Sequence, residues 1–285
     1  MKANASDLKL LTRLGEYRWL TVLQLAALEE RSPRVLRRRL ITLGEAGFLD
    51  REWMPPLKGT PGRPEQVVSL SAAGAKLLRA RGVALPAIRR PDQAAAGFSG
   101  IAHQILLNWF RVHLVDLPRR VPGLSVGFEA GGRNAAAEMT FVPDGAFMLR
   151  HQDRPQTLLF FLEVDRGTES LGGSPSGEGS IREKIANYQG FFRAGEYKRY
   201  EQLWQVQFNG FRLLILAETS PGWQSLCRLV QDLPPSDFIW LTSREHLFAH
   251  GLAGAIWARG GRDGQAAESL LGPTLKCSVP LPRRG

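Results

Sequence analysis

The sequence predicts an α/β protein of two domains, and three observations lead to this prediction. The first is a length of 285 residues, which exceeds one domain of the usual ~100–200 residues. The second is a helical N-terminal stretch that ends in a predicted β-hairpin. The third is a later alternation of apolar strands and helices, which is typical of a sheet covered by helices. We predict a first domain at 1–81, a linker at 82–97, a second domain at 98–250 and a C-terminal tail at 251–285.

The composition is that of a globular protein with an excess of positive charge. Hydrophobic residues make up 44% of the chain and charged residues 22%, which excludes wholesale disorder. Lys and Arg number 37 against 27 Asp and Glu, a formal net charge of +10. Such a balance favours a polyanionic partner, with nucleic acid first and an anionic membrane surface second.

The apolar segments and cysteines exclude several other classes. No segment approaches the ~18 apolar residues that a membrane span needs, so we expect a soluble, cytoplasmic protein with no membrane partner. Cys227 and Cys277 lie far apart in the chain and lack the Cys and His spacing of a metal site. This pattern indicates neither a disulfide framework nor a zinc site.

Residues 6–81 carry the signals of a helix-turn-helix followed by a hairpin and a further helix. Thr21 with Gln24 three positions later fits a capping box at the start of a short helix. Ser32 followed by Pro33 fits an N-cap and a first-turn proline at the start of the next helix. Two short helices joined by a tight turn form a helix-turn-helix.

The second of these helices separates its residues by chemistry at about 100° per residue. Three leucines form a predicted buried stripe: Leu36, Leu40 and Leu43. The candidate DNA-binding residues lie opposite or on the flank: Arg34, Arg37, Arg38, Arg39 and Thr42. Clustered arginines suit phosphate contacts and guanine edges in a major groove. The alternative is an ordinary solvated helix face.

A predicted wing follows this helix. Residues 48–53 and 66–70 read as strands joined by a Gly/Pro-rich loop that contains Lys58 and Arg63. Such a loop either rests on the DNA backbone, through these two basic residues, or is an idle connection. Ser71 then starts another helix. The whole stretch resembles a winged helix-turn-helix domain, which implies docking on duplex DNA.

The second domain is predicted to contain a mixed sheet with a strongly apolar central strand at 157–165. The predicted helices are 101–117, 181–194 and 223–230, and the other predicted strands are 124–129, 139–142, 146–149, 213–217 and 238–242. Helix, hairpin, central strand, helix and strand is the order of a restriction-endonuclease-like core.

Acidic residues gather at the end of that central strand. Strand residues alternate between faces, so Glu163 and Asp165 leave on the same side. Asp144, after a proline, is placed to meet them from the neighbouring hairpin. Three carboxylates that converge suit a hard cation such as Mg²⁺ or Mn²⁺. The same residues also fit an ordinary charged strand end.

Three short motifs resemble a known family. They are Pro143-Asp144, the stretch from Glu163 to Glu169, and Lys184-Ile185-Ala186-Asn187-Tyr188, all behind a winged helix. Together they resemble the replication-relaxation family of plasmid-associated proteins. That family is similar in its core to the PD-(D/E)xK nucleases, so the resemblance implies a nuclease-like second domain.

One position departs from the nuclease pattern. In that superfamily a lysine that helps to activate the attacking water follows the strand acid by two positions, and here Asp165 stands there. Lys184 on the next helix is a candidate replacement, with Tyr188 one turn away on the same face. In an active site, Asp144 and Glu163 would hold the metal, with Asp165 as a further ligand. In a structural alternative, Asp165 pairs with Arg166, Arg182 or Lys184.

Aromatic residues are dense after this candidate site: Tyr188, Phe191, Phe192, Tyr197, Tyr200 and Trp204. Interleaved with basic residues, they would stack on unpaired bases. Packing of these rings into the core is the commoner role.

Three functions remain open from the sequence. The first is a DNA-binding protein of plasmid or mobile-element replication, relaxation or transfer, whose nuclease-like domain is active or degenerate. The second is a metal-dependent DNA endonuclease or nickase. The third is a winged-helix transcription regulator. Expected partners are double-stranded DNA, other DNA-processing proteins and, since helix-turn-helix proteins often pair, a second copy of the chain.

Overall fold

A computed structural model describes residues 3–54, 65–85, 97–131, 141–167, 181–262 and 268–272. The predicted α/β class is confirmed, with a three-stranded antiparallel sheet and a six-stranded mixed sheet in the described ranges. The described residues divide into two compact units, one that ends at Val112 and one that begins at His113. The domain bounds given above stay predictions, and residues 86–96 of the predicted linker lie outside the described ranges.

The first unit contains helices around a small sheet. Its elements are α1 (Ala5–Tyr17), β1 (Trp19–Thr21), α2 (Val22–Glu29), α3 (Pro33–Glu45), β2 (Leu49–Met54), β3 (Glu65–Leu70) and α4 (Ala72–Ala80). Strand β3 is central, with β1 and β2 antiparallel on either side. Strand β1 was not predicted from the sequence.

Local capping signals explain most of these helix starts. The Thr21 and Gln24 side chains each accept from the other's backbone N–H, so the predicted capping box is confirmed. The Ser71 hydroxyl accepts from the Gly74 N–H and starts α4. Ser32 precedes α3 as predicted, but its side chain makes no capping hydrogen bond. The Val35 N–H, which such a cap would bind, donates instead to the Ser32 carbonyl at 3.1 Å.

Helix α5 (Gly97–Arg120) begins in the first unit and ends in the second. The sequence predicted an apolar stripe, but residues 105–114 are buried on every side. In the first unit, the Asn108 amide donates to the carbonyls of Tyr17 (3.0 Å) and Trp19 (2.6 Å). The Gln24 amide donates to the Ile105 carbonyl at 2.7 Å. These polar contacts join α5 to the end of α1, to β1 and to α2.

The second unit is built on the larger sheet. Its further elements are β4 (Leu124–Ala130), β5 (Gly145–His151), β6 (Thr157–Asp165), α6 (Ile181–Arg193), a 3₁₀ turn (Glu196–Lys198), α7 (Arg199–Trp204), β7 (Phe211–Ala217), α8 (Ser220–Gln231), β8 (Ile239–Ser243), α9 (Arg244–His250) and β9 (Ala258–Arg259).

The strands of the large sheet lie in the order β4-β5-β6-β7-β8-β9. Strands β4 to β6 are antiparallel, β6 to β8 are parallel, and β9 returns antiparallel to β8. Strand β6 is therefore interior, as its apolar sequence predicted, and Phe160, Phe161 and Leu162 are fully buried. One face of the sheet packs against α6 and α8, which places Phe161 in an aromatic core with Tyr188 and Phe211.

Two details of the sequence interpretation need correction. Of the strand predicted at 139–142, residues 139–140 lie outside the described ranges, and Phe141 and Val142 are not in a strand. Pro143 explains this, because proline lacks a donor and restricts the residue before it. Strand β9 lies in the predicted tail, and its two residues are too few to show a period in the sequence.

No described helix combines the length and apolarity of a membrane span.

Candidate functional site

The outward side of α3 is basic and accessible. The predicted stripe of Leu36, Leu40 and Leu43 is buried, at most 1% exposed. We call the exposed residues Arg34, Arg37 and Arg38 the arginine face. Thr42 is half-buried and its hydroxyl donates to the Arg38 carbonyl at 3.2 Å. The helix thus buries the predicted leucine stripe, while its outward side also exposes the apolar residues Val35 and Ile41.

Arg39 differs from the arginine face because it is bound within the unit. Its Nε and Nη2 atoms donate to the two oxygens of the buried Asp7 carboxylate. This contact, together with the Asn4 backbone N–H, lowers the pKa of Asp7 below its usual value despite burial. Arg39 therefore joins α3 to α1. The sequence did not predict this pair, because Asp7 and Arg39 lie far apart along the chain.

The predicted wing is described only in part. Its strands β2 and β3 pair in register from Leu49↔Leu70 to Met54↔Glu65. Lys58 and Arg63 lie outside the described residues. On β2, Trp53 is 64% exposed. The predicted roles of Lys58 and Arg63 stay predictions.

A polar centre lies at the end of β6 in the second unit. The Glu163 carboxylate accepts from the Tyr188 hydroxyl at 2.7 Å and from the Lys184 ammonium at 3.3 Å. Both donors lie on α6, one turn apart, as the sequence predicted. Asp144, just before β5, accepts through Oδ2 from the Val164 N–H at 2.8 Å. We call Asp144, Glu163, Lys184 and Tyr188 the Glu163 centre.

Burial dominates the electrostatics of the Glu163 centre. Glu163 is 6% exposed. Desolvation, and then the nearby Asp144 charge, raise the pKa of Glu163 to about 7, although Lys184 and Tyr188 favour the ionised form. Burial and the adjacent carboxylate also raise the pKa of Tyr188 well above its usual value. The phenol is therefore a neutral hydrogen-bond donor to Glu163 and is itself fully buried.

Asp165 takes part in a different set of contacts. Its carboxylate accepts from the Gly167 N–H at 3.0 Å, and its carbonyl accepts from the Glu218 N–H at 2.8 Å. Arg166 pairs with Glu218 at 2.9 Å, and Arg244 lies 3.9 Å from the same carboxylate. Asp165 thus stabilises the turn after β6, next to an ion-pair cluster that the sequence did not predict.

The predicted metal ligands Asp144, Glu163 and Asp165 make contacts within the protein. Within the described ranges, no group of three or more His, Cys, Asp or Glu side chains is arranged to hold a metal ion. Both Glu163 oxygens already accept hydrogen bonds, one from the Tyr188 hydroxyl and one from the Lys184 ammonium. Asp144, Glu163 and Asp165 in this arrangement do not fit a divalent cation.

The aromatic cluster after the candidate site forms core. Tyr188, Phe191, Tyr197 and Tyr200 are at most 7% exposed. Their rings pack around Phe161 and Phe211 with centroids about 5–6 Å apart. Phe192 is 44% exposed. The packing interpretation therefore describes most of these rings better than base stacking.

Comparison with known proteins gives one family. The model of the family described as Replication-relaxation matches residues 11–206, well over half of the chain. This range includes both the arginine face and the Glu163 centre. No curated protein and no solved structure matches the chain.

Proposed function

Because the chain belongs to the replication-relaxation family, we propose that it is a DNA-binding protein of plasmid or mobile-element replication, relaxation or transfer. Membership links it to replication and relaxation. The proposal adds the mode of action: the first unit docks on duplex DNA as a winged helix, and the second unit is a nuclease-like core that has lost its chemistry.

The observation that carries the proposal is the arginine face. Arg34, Arg37 and Arg38 are exposed on the side of α3 opposite its buried leucines. An α-helix fits the major groove, where guanidinium groups contact phosphates and guanine edges. Helix α3 also follows α2 after a short turn and precedes the β2–β3 pair, which is the order of a winged helix-turn-helix. The +10 formal charge of the chain supports the same partner.

Duplex binding by single variants tests this docking mode. We expect Arg34→Ala and Arg38→Ala each to weaken binding by about 1–3 kcal/mol if the arginine contacts a base edge. Glu45→Gln, which alters another exposed residue of α3, is the matched control and should not weaken it. Fluorescence anisotropy with a duplex selected from a random library provides the measurement. Unchanged affinity in both arginine variants would refute docking through α3.

The second unit supports a binding role more than cleavage. The order β4, β5, β6, α6, β7 and β8 is that of a restriction-endonuclease-like core. Lys184 reaches Glu163 from α6, which favours cleavage as a second candidate. Against it, the carboxylates do not fit a divalent cation, and Asp165 occupies the lysine position of the nuclease pattern. The proposed function therefore includes no metal-dependent cleavage of DNA.

Supercoiled DNA incubated with Mg²⁺ or Mn²⁺ separates the two candidates. We expect no nicking by the parent protein under conditions where duplex binding is measured in parallel. Metal-dependent nicking that disappears in both Asp144→Ala and Glu163→Ala would establish the nuclease instead. Arg182→Ala, outside the Glu163 centre, serves as the control for a contaminating nuclease.

A further inference from the structure

A cleft of about 400 Å³ opens between α1 and α3 in the first unit. Its lining includes Ser6 and Asp7 from α1, Val35, Arg38 and Arg39 from α3, and Arg31 from the turn before α3. Cavities of roughly 300–1,000 Å³ are the usual size of ligand sites. The cleft is thus large enough for a small polar group with an attached sugar.

The charge of the cleft is positive. Asp7 is the one acid among the described residues that line it, and Arg39 neutralises Asp7 through two hydrogen bonds. Arg31 and Arg38 add two further guanidinium groups, and both residues are exposed. The Asp7–Arg39 pair is therefore neutral, and Arg31 and Arg38 carry the net charge of the cleft.

One hydrogen bond and one exposed side chain shape the cleft. The Arg31 Nη1 atom donates to the Ser6 hydroxyl at 2.7 Å, which holds the Arg31 guanidinium beside the start of α1. Val35, 57% exposed, supplies an apolar wall on the α3 side. Arginine presents a planar fork of donors that matches phosphate oxygens, and Val35 leaves apolar surface beside them for the attached group.

We propose that the α1–α3 cleft binds a phosphoryl group between Arg31 and Arg38, with the attached sugar against Val35. The inference deepens the proposed function and rests on it, since the phosphoryl group is assigned to the DNA backbone. Arg38 belongs to both the cleft and the arginine face, so a phosphate in the cleft lies beside the helix that enters the groove. A free nucleotide carries the same chemistry, and the experiment distinguishes the two sources.

The first arm measures duplex binding. Arg31→Ala should weaken duplex affinity about 10-fold, because a charge-assisted hydrogen bond to phosphate is lost. Arg81→Ala, which removes an exposed arginine that does not line the cleft, should change affinity less than about 3-fold. Thermal melting confirms that both variants fold. A scan of single methylphosphonates along the bound duplex should find one phosphate whose neutralisation weakens the parent protein but not Arg31→Ala.

The second arm titrates the protein with inorganic phosphate and with adenosine monophosphate, followed by NMR of arginine Nε–H signals. Nucleotide binding that Arg31→Ala abolishes, with duplex affinity unchanged, assigns the cleft to free nucleotides and overturns the backbone source. No effect of Arg31→Ala in either arm overturns the cleft as a phosphoryl site. If the parent protein binds no duplex at all, the proposed function fails, whereas the titration still decides whether the cleft takes phosphate.

Discussion

At the scale of single residues, the most consequential group is the Glu163 carboxyl. A carboxylate enclosed by an aromatic core is unfavourable unless donors reach it, and Tyr188 and Lys184 supply those donors. Burial still prevails, since the pKa is raised to about 7. Glu163 therefore changes its protonation near neutral pH, unlike an exposed glutamate.

This raised pKa predicts a pH-dependent stability. A carboxyl whose pKa is higher in the folded state, about 7 against 4.5, contributes stability that is complete below pH 4.5 and is lost as pH rises through 7. Glu163→Gln removes the titration. We expect the free energy of unfolding of the parent protein to fall relative to Glu163→Gln across this window, by at most ~3 kcal/mol. Urea denaturation at several pH values measures it.

This prediction has one control and one outcome that would contradict it. Glu45→Gln, which replaces an exposed glutamate, should leave the pH profile of the parent protein unchanged. Parallel profiles for the parent protein and Glu163→Gln would show that Glu163 does not titrate in this window.

The pair between Asp7 and Arg39 predicts a stability effect at the residue scale. Arg39→Ala leaves the buried Asp7 carboxylate without its main partner, so we expect a loss of about 3 kcal/mol in the free energy of unfolding. Arg37→Ala, on the same helix but exposed, should change stability by less than about 0.5 kcal/mol. Chemical denaturation compares them, and equal effects would contradict a structural role for Arg39.

The sequence predicts the spacing of residues in the Glu163 centre better than it predicts the contacts that Asp165, Arg166 and Asp7 make. Period-two alternation in β6 and one-turn spacing on α6 predict which residues share a face of each element, whereas the contacts of Glu163 with Lys184 and Tyr188 also need β6 and α6 to pack together. The same rules placed Asp165 beside Glu163 as a ligand, but its carboxylate caps the turn at Gly167. The contacts of Asp7 with Arg39 and of Arg166 with Glu218 depend on tertiary packing, which no local pattern encodes.

At the scale of elements, α5 contains a central stretch, residues 105–114, in which every residue is buried. Its polar residue Asn108 is fully buried and donates to the carbonyls of Tyr17 and Trp19. Those carbonyls flank Arg18, which has a positive φ of 68° at the end of α1. The Asn108 side chain thus binds the Tyr17 carbonyl, which the end of α1 leaves without an intrahelical partner, and the carbonyl of Trp19 in β1.

Asn108→Leu should therefore destabilise the first unit although it adds apolar surface. Two buried carbonyls lose a donor, and each costs about 1–3 kcal/mol when unsatisfied. We expect a loss of at least ~2 kcal/mol in the free energy of unfolding, with faster hydrogen exchange at residues 17–21. Val115→Leu, at a more exposed position of α5, is the control. Stability equal to that of the parent protein would contradict the assigned role of Asn108.

Sequence patterns recover the long elements and miss the short ones. Strand β6 has nine residues of strongly apolar sequence, and α3 has thirteen residues with a clear stripe. Strands β1 and β9, with three and two residues, are too short to show a period. They form because β3 and β8 present backbone groups that need partners, which is a property of the sheet.

At the scale of the whole molecule, the excess of positive charge predicts that the proposed binding to duplex DNA depends on salt. Each phosphate neutralised releases counterions, so log affinity falls with log salt by roughly 0.9 per contact. We expect a steep decline between about 50 and 300 mM KCl. Replacing Arg34, Arg37 and Arg38 together by Ala should reduce the slope by up to ~3. Titrations of one duplex at several salt concentrations measure it, and an unchanged slope would place the phosphate contacts elsewhere.

The contact of Asp144 with the Val164 N–H gives this acidic residue a structural role. Pairing between β5 and β6 ends at Gly145↔Leu162, and the Asp144 side chain supplies the next acceptor along β6. Folding alone therefore gives Asp144 a role as a hydrogen-bond acceptor, so its presence at this corner is not by itself evidence of hydrolysis. Asp144→Asn keeps the hydrogen-bond acceptor without the charge, so this substitution separates a structural role from a catalytic one.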